Sequence, residues 1–332
     1  YHRIWFAEHH SIATISSASP EVLIAAASQN FAFLLILRLF QGFAVATTGV
    51  VTRSIIRDLY SGPQMAKVLS ISFVVFLLVP ILAPSLGQLV LLVWPWRAIF
   101  LIMSLLGAAT AIWAWIRLPE TLNPADRHRP DLAHLKRVGF FVVTEPGSIF
   151  YSVAIMCLIG GLLAYVSLMP QIFAEVFRKP HLMAGIFAAC AGTMGAASAL
   201  NASLVERLGI KRISHTALTG YLVVTAIHLA WAWSGRETIL SFALLQALTM
   251  GLMSLSTSNF SAVAMEKVGH VAGTAASLQG VITTVGGAFV SGFIGAGWTG
   301  HIYWLPLAAF ICGALAFMLI AIAERGKLYR NS

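Results

Sequence analysis

Stretches of about 20 mostly uncharged, apolar residues recur along nearly the whole chain, and a run of that length is what a helix needs to cross the hydrocarbon core of a bilayer. Nine such stretches are legible, at residues 31–52, 66–93, 97–117, 148–177, 182–204, 213–233, 238–264, 270–298 and 303–323. Short connections containing Lys, Arg, Gly and Pro separate them. With 58% hydrophobic and 10% charged residues among 332, the chain cannot be a water-soluble globule, in which about a quarter of residues are charged. The sequence therefore predicts an all-α polytopic membrane protein, and its length counts helices rather than soluble domains. An earlier stretch, 11–28, is apolar enough for a tenth span but carries Ser17, Ser19, Pro20 and Glu21 in its middle. It reads as a damaged or partial span.

A formal charge of +9 does not point to nucleic acid. Nucleic-acid binders gather Lys and Arg on one face, whereas here they are scattered between apolar runs. Cys157, Cys190 and Cys312 each lie inside an apolar stretch without the spacing or His partners of a metal site, and read as packing residues. No Walker loop, zinc pattern or Ser-His-Asp arrangement is present. Enzyme chemistry, a bound metal or cofactor, and ATP as energy source are not expected.

Positive connections stay on the cytoplasmic side of a membrane. Taking alternate connections, with the C-terminal tail, one set carries fifteen Lys and Arg and the other carries four; the remaining two of the 21 are Arg38, inside a span, and Arg3. This bias predicts a cytoplasmic C-terminus. The longest polar connection, beginning at Leu118, then lies on the same side, and Pro119, Pro124 and Pro130 break any continuous helix there. Six spans after one long cytoplasmic connection suggest the two-halved repeat architecture of secondary transporters.

Arg38 is the most informative residue, because it lies about 10 Å into an apolar span. An arginine there is costly unless it faces a cavity or partner, or snorkels to the interface. As an interior cation it would tune a carboxylate or hold a substrate, with Gln41 one turn away. Pro80, Pro84 and Gly87 sit within one span and imply a bent, closely packed helix. Thr283, Gly287, Ser291 and Gly295 recur every four residues and predict a close helix approach. Tyr165, Gln171, Asn201, His228, Gln246, Asn259 and Gln279 are polar groups within later spans. Each needs a partner in lipid, either another helix or a cavity.

At Arg38-Leu-Phe-Gln-Gly-Phe-Ala-Val-Ala46 the chain resembles the fourth-helix signature of drug-exporting members of the major facilitator superfamily. Arg53-Ser-Ile-Ile-Arg-Asp58 resembles a segment of the bicyclomycin and chloramphenicol resistance (Bcr/CflA) subfamily, and Pro80-Ile-Leu-Ala-Pro84 with Gly87 its fifth-helix antiporter motif, with Gln88 in place of a second glycine. Further likenesses follow in order at Trp96–Phe100, Leu118–Leu122, Asn201–Arg212 and His270–Ser277.

The resemblance implies twelve helices in two pseudo-symmetric halves, alternating access, and proton-coupled efflux of drugs or other small amphipathic molecules from the bacterial inner membrane. The partners are then a small-molecule substrate, protons and the lipid bilayer, and the full-length protein is a monomer. Arg38, Gln41, Gly42 and Asp58 are the implied motif residues for proton coupling, and Pro80, Pro84 and Gly87 the antiporter motif. Tyr165, Gln171, Asn201 and Asn259 are candidates for the substrate cavity. The domains expected are a divergent segment 1–21, the remainder of an N-terminal bundle 22–117, an inter-bundle loop 118–147, a six-helix bundle 148–324 and a tail 325–332.

The first two to three helices of the family pattern have no counterpart, so a truncated chain that does not itself transport is the expectation. Two alternatives remain: an exporter of a sugar, purine or amino-acid metabolite, and a non-transporting membrane interaction protein. Asp126→Cys and Ser234→Cys are expected to react with an impermeant thiol reagent from opposite sides of the membrane. Labelling of both from outside overturns the orientation.

Overall fold

The computed structural model describes residues 32, 33, 35–37, 55, 56, 59, 86, 87, 89–117, 132–268 and 271–329. Contacts divide the chain into one compact unit up to Asp131 and a second from Leu132. No strand occurs among the described residues. Seven helical stretches there are long and apolar enough to cross a membrane: Arg97–Arg117, Pro146–Val176, Pro180–Val205, Ile210–Trp233, Ile239–Glu266, Thr274–Ala296 and Trp304–Ala323. Each coincides with one of the last seven expected spans, within a few residues at each end. The expected spans 31–52 and 66–93 lie largely outside the described residues.

In the first unit, helix α1 (Arg97–Arg117) is uncharged between its terminal arginines and buries only Phe100 and Ser104. The Arg97 guanidinium lies over the Trp96 ring at 4.6 Å, the pairing of cation and interfacial aromatic that anchors helix ends at the headgroups.

The second unit begins with α2 (Leu132–Thr144), inside the polar connection expected from sequence. The three prolines that break helix there all precede it. Val138 and Val142, one turn apart, pack with Val268 and Ala275 against the start of a later helix. Six spanning elements follow: α3 (Pro146–Gln171), extended by a π-helical turn Ile172–Val176; α4 (Met183–Leu208); α5 (Ile210–Trp233); α6 (Ile239–Glu266); α7 (Ala272–Val281), continued through a π turn Ile282–Gly286 into α8 (Gly287–Ala296); and α9 (Trp304–Ala323). Pro170 lies within α3 immediately before its π turn, where its missing N–H removes a ladder bond. Gly209, alone between α4 and α5, has φ of 80°, a left-handed conformation in which a Cβ is strained.

The packing has a hidden symmetry. α4 and α5 pack on α6, α8 and α9 pack on α3, α3 touches α6, and α5 touches α9. Exchanging α3 with α6, α4 with α7–α8, and α5 with α9 maps this pattern onto itself. Each triplet has an odd number of spans, so the two run in opposite directions through the membrane, an inverted repeat.

Helices in lipid gain little by hiding leucine from leucine, so close backbone approach and hydrogen bonds hold them together. The small-residue stripe serves this purpose. Gly287 and Ser291 are the buried residues of α8, and a Cβ on Gly287 would lie 3.0 Å from Ile159 Cγ2 and 3.4 Å from the Gly160 nitrogen of α3. A Cβ on Gly160 would come within 2.5 Å of Val290 Cγ1. Elsewhere Thr193 Oγ1 donates to the Ala247 carbonyl at 2.8 Å, tying α4 to α6, and Tyr221 Oη donates to the Ala309 carbonyl at 3.2 Å, tying α5 to α9. Outward faces carry exposed Val223, Ile227, Leu244, Leu248, Phe289 and Phe293, while His215, Thr225, His228, Gln246 and Asn259 are buried. Apolar outside and polar inside is the order that a lipid solvent demands.

Gly160→Leu is expected to force α3 and α8 apart and to destabilise the purified protein by about 1–3 kcal/mol, the usual cost of overpacking. Gly292→Leu is the control, because no described atom lies within 4 Å of a Cβ built there. Thermal unfolding in detergent should separate the two variants.

Candidate functional site

The interior of the second unit carries polar side chains at three levels. In the half nearer the C-terminus, Asn259 of α6 donates from Nδ2 to Asn201 Oδ1 of α4 at 2.8 Å and to the Leu255 carbonyl at 2.8 Å. Asn201 Nδ2 donates back to Asn259 Oδ1 at 3.3 Å. The two amides thus satisfy one another across α4 and α6. On another face of α6, Ser261 donates to Gln279 Oε1 of α7 at 3.2 Å. Gln279 is 8% exposed, and its Nε2 is buried without a hydrogen-bond partner among the described residues. α6 therefore carries polar contacts to the helices on both sides of it.

Tyr165 sits on α3 with its ring 5.2 Å from that of Phe187 on α4. It is 2% exposed, and its hydroxyl meets the Cys190 thiol of α4 but bonds no oxygen or nitrogen among the described residues. A buried hydroxyl with unused capacity costs free energy, so Tyr165 and Gln279 are the groups best placed to bond something that enters the bundle. Gln171 is exposed at the end of α3, beside the π turn. Of the four expected cavity residues, the structure brings Asn201 and Asn259 together and places Tyr165 and Gln171 elsewhere along the bundle.

The implied motif residues Arg38, Gln41, Gly42, Asp58, Pro80 and Pro84 lie outside the described residues. Gly87 is described and helical, and no described atom lies within 4 Å of a Cβ built on it.

Two buried clusters were not read from sequence. At the end carrying the C-terminus, Tyr151 Oη donates to Glu324 Oε1 at 2.8 Å, and Lys211 Nζ pairs with the same carboxylate at 3.1 Å. Because Tyr151 spends its single proton on Glu324, its 3.1 Å contact with His215 Nε2 requires that nitrogen to donate. His215 Nδ1 is then free to accept the Tyr329 N–H at 3.1 Å, and Tyr329 Oη meets Thr219 Oγ1 at 2.7 Å. The tail is thereby fastened to α5. At the opposite end His228 Nε2 and Glu237 Oε2 face each other at 3.5 Å with side chains 1% and 2% exposed. His228 is visible in sequence as a polar residue in a span. Glu237 occupies a short turn next to Arg236, and no pattern in a turn announces that its carboxylate folds inward.

Among the described residues no group of three or more His, Cys, Asp or Glu could hold a metal ion. The three cysteines are free and buried.

A protein-family model described as the Major Facilitator Superfamily matches residues 11–291. The uncharacterised MFS-type transporter YdgK of Bacillus subtilis is 27% identical over 311 residues, 89% of this chain and 74% of that protein. A bicyclomycin resistance protein homologue of Haemophilus influenzae is 29% identical, with 78% of this chain and 65% of that protein covered. The multidrug resistance protein MdtL of Shewanella oneidensis is 31% identical over 45% of this chain and 37% of its own. The chain thus spans under two thirds of the length of these last two relatives. Among solved structures, that of the human organic anion transporter TETRAN superposes with a TM-score of 0.58 at 18% identity, over 95% of this chain and 75% of the other, a likeness of fold.

Asn259→Leu strands the Asn201 amide and is expected to lower stability by about 1 kcal/mol, with a coupling of about 0.6 kcal/mol in the Asn201/Asn259 double-mutant cycle, the typical value between membrane helices. Tyr165→Phe removes a hydroxyl whose described neighbour is the weakly bonding Cys190 thiol and should leave the unfolding temperature nearly unchanged. A large Tyr165→Phe loss of stability would reveal a stronger partner inside the protein.

Proposed function

The chain belongs to the Major Facilitator Superfamily, and on that premise we propose that it is built for proton-coupled export of drugs or other small amphipathic molecules, as in the bicyclomycin and chloramphenicol resistance subfamily. The observation that carries the reading is the coincidence of relatives named for drug resistance with a second unit whose polar interior holds, among the described residues, buried polar atoms with unused hydrogen-bonding capacity, Tyr165 Oη and Gln279 Nε2. An amphipathic solute entering such an interior meets aromatic rings together with one donor and one hydroxyl. Apolar enclosure with a few placed polar groups is the general character of small-molecule sites. The inverted repeat supports alternating access, because two like triplets of opposite direction can exchange roles as one face opens and the other closes.

In this reading protons supply the energy, Arg38 and Gln41 take part in the coupling, and Tyr165 contacts substrate. Gln171, Asn201 and Asn259 border the path. The C-terminus faces the cytoplasm, in accord with the fifteen-to-four distribution of Lys and Arg.

The test uses a bacterium deleted for its own exporters and expressing the complete reading frame that includes this chain. Export is expected to lower accumulation of a cationic or amphipathic dye, and collapse of the proton gradient should restore it. Arg38→Ala should abolish that export with membrane insertion intact, and Tyr165→Phe should raise the half-saturating dye concentration several-fold. Export of a sugar, purine or amino acid without any drug would move the protein to the metabolite exporters of the same superfamily. Gradient-independent accumulation identical to the empty vector overturns the proposal.

A further inference from the structure

The His228–Glu237 pair lies in the second unit, at the end opposite the C-terminal tail. α5 ends at Trp233, and a turn through Gly235, whose φ of 70° is left-handed, returns the chain to α6. Thr238 caps α6 through Ser241, so that Glu237, the residue before the cap, is directed back against α5. Its Oε1 accepts from Ser241 Oγ at 3.0 Å. Its Oε2 faces His228 Nε2 at 3.5 Å, and neither of those atoms has a hydrogen-bond partner among the described residues. The Phe242 ring crosses His228 at 5.7 Å and itself packs edge-on against Phe173 at 6.1 Å and Phe177 at 5.5 Å. Phe242 therefore stands against the imidazole, and Phe173 and Phe177 from the end of α3 pack on Phe242.

Charge decides what such a pair can hold. The other titratable groups on neighbouring elements at this end are Glu175, Arg178 and Lys179 after α3, His181 before α4, Arg236 in the turn and His301 before α9, and all are exposed. His228 is the only cationic partner of Glu237 among the described residues. With one proton shared between them the pair is neutral overall, whether as imidazolium and carboxylate or as imidazole and carboxylic acid. Without that proton it is a buried anion, and with a second it is a buried cation. Burial penalises either net charge.

We propose that His228 and Glu237 form a one-proton binding site whose occupation is the condition for closing this end of the second unit. When the end opens, water reaches the pair, and the proton exchanges with solvent on that side. When it closes, only the loaded, neutral pair can be enclosed behind Phe173, Phe177 and Phe242. This deepens the proton-coupled export reading and rests on it for its physiological sense. Uptake of a proton from the side opposite the C-terminus would drive closure there, the step an antiporter needs after releasing its cargo.

The experiment reads opening directly. Phe177→Cys is introduced into the whole chain, reconstituted in phospholipid nanodiscs without drug or gradient, and its rate of reaction with a water-soluble maleimide, corrected to one thiolate fraction, is followed against pH. The protein without that cysteine is the background for the buried native thiols. The rate is expected to fall about tenfold or more from about pH 8 to pH 5, as one proton closes the end. Glu237→Gln removes the anion, so the pair is neutral without the added proton and the fast rate at about pH 8 should be lost, whereas Glu237→Asp keeps a carboxylate and should retain the slope. A rate independent of pH in the protein with an intact pair overturns the proposal, as does a wild-type slope in Glu237→Gln, which would assign it to exposed His181 or His301. Since no transport is measured, a pH-dependent rate in a protein that exports nothing would sink the export reading and leave this site standing. Export with a flat rate would do the reverse.

Discussion

Helices that share a solvent of hydrocarbon cannot be driven together by hiding leucine, and the whole second unit is arranged around that limitation. What remains available is close approach and the satisfaction of polar groups. α3 and α8 approach at Gly160 and Gly287, where a single added carbon would collide with Val290 or Ile159. α5 and α9 are joined by the Tyr221 hydroxyl on the Ala309 carbonyl, and α4 and α6 by Thr193 on the Ala247 carbonyl. Hydroxyls that find no neighbour helix return to their own, as Thr225 does to the Tyr221 carbonyl at 2.8 Å and Ser256 to Leu252 at 2.9 Å. Because these contacts are short and local, they fix which helices can be neighbours, and the inverted pattern of triplets follows from them.

The two ends of this unit are closed by different chemistry. At the C-terminal end Lys211, Tyr151, His215 and the Tyr329 backbone form a connected network in which the Glu324 carboxylate has both a cation and a hydroxyl. Such a network resists opening, since breaking any member strands another. At the far end a carboxylate and an imidazole stand behind phenylalanine rings with one serine hydroxyl between them and isolation. That end is enclosed by apolar packing. A transporter that opens its faces alternately needs ends that differ in this way in what holds them shut.

Several features were legible in the residues alone. Length and uncharged runs located the seven spans now described, since each span must bury its own backbone bonds whatever its neighbours do. The four-residue spacing from Thr283 to Gly295 announced a close helix contact, and Gly287 makes it. The ordered motifs from Arg38 to Ser277 announced the superfamily. Less was legible of the site. Asn201 and Asn259 both stood out as polar residues in apolar spans, but 58 positions of sequence separate them, and nothing in either span says that one amide answers the other. Helix α2 escaped notice because the prolines before it dominate the composition of that connection, while the two valines that bury it are unremarkable by themselves.

The sequence by itself determined that the chain crosses a membrane many times, where it crosses, and to which superfamily it belongs, because those properties are carried by local composition and by contiguous motifs. Tertiary structure alone decided which polar groups meet: that the Tyr165 hydroxyl meets only a thiol among the described residues while the asparagines satisfy each other, that Glu324 and Tyr329 fasten the tail, and that Glu237 turns inward to His228. The physical reason is that a charge or amide is costly or stable according to its partner and its access to water. Partner and access are properties of packed helices, set by where two distant surfaces come within about 3 Å of each other.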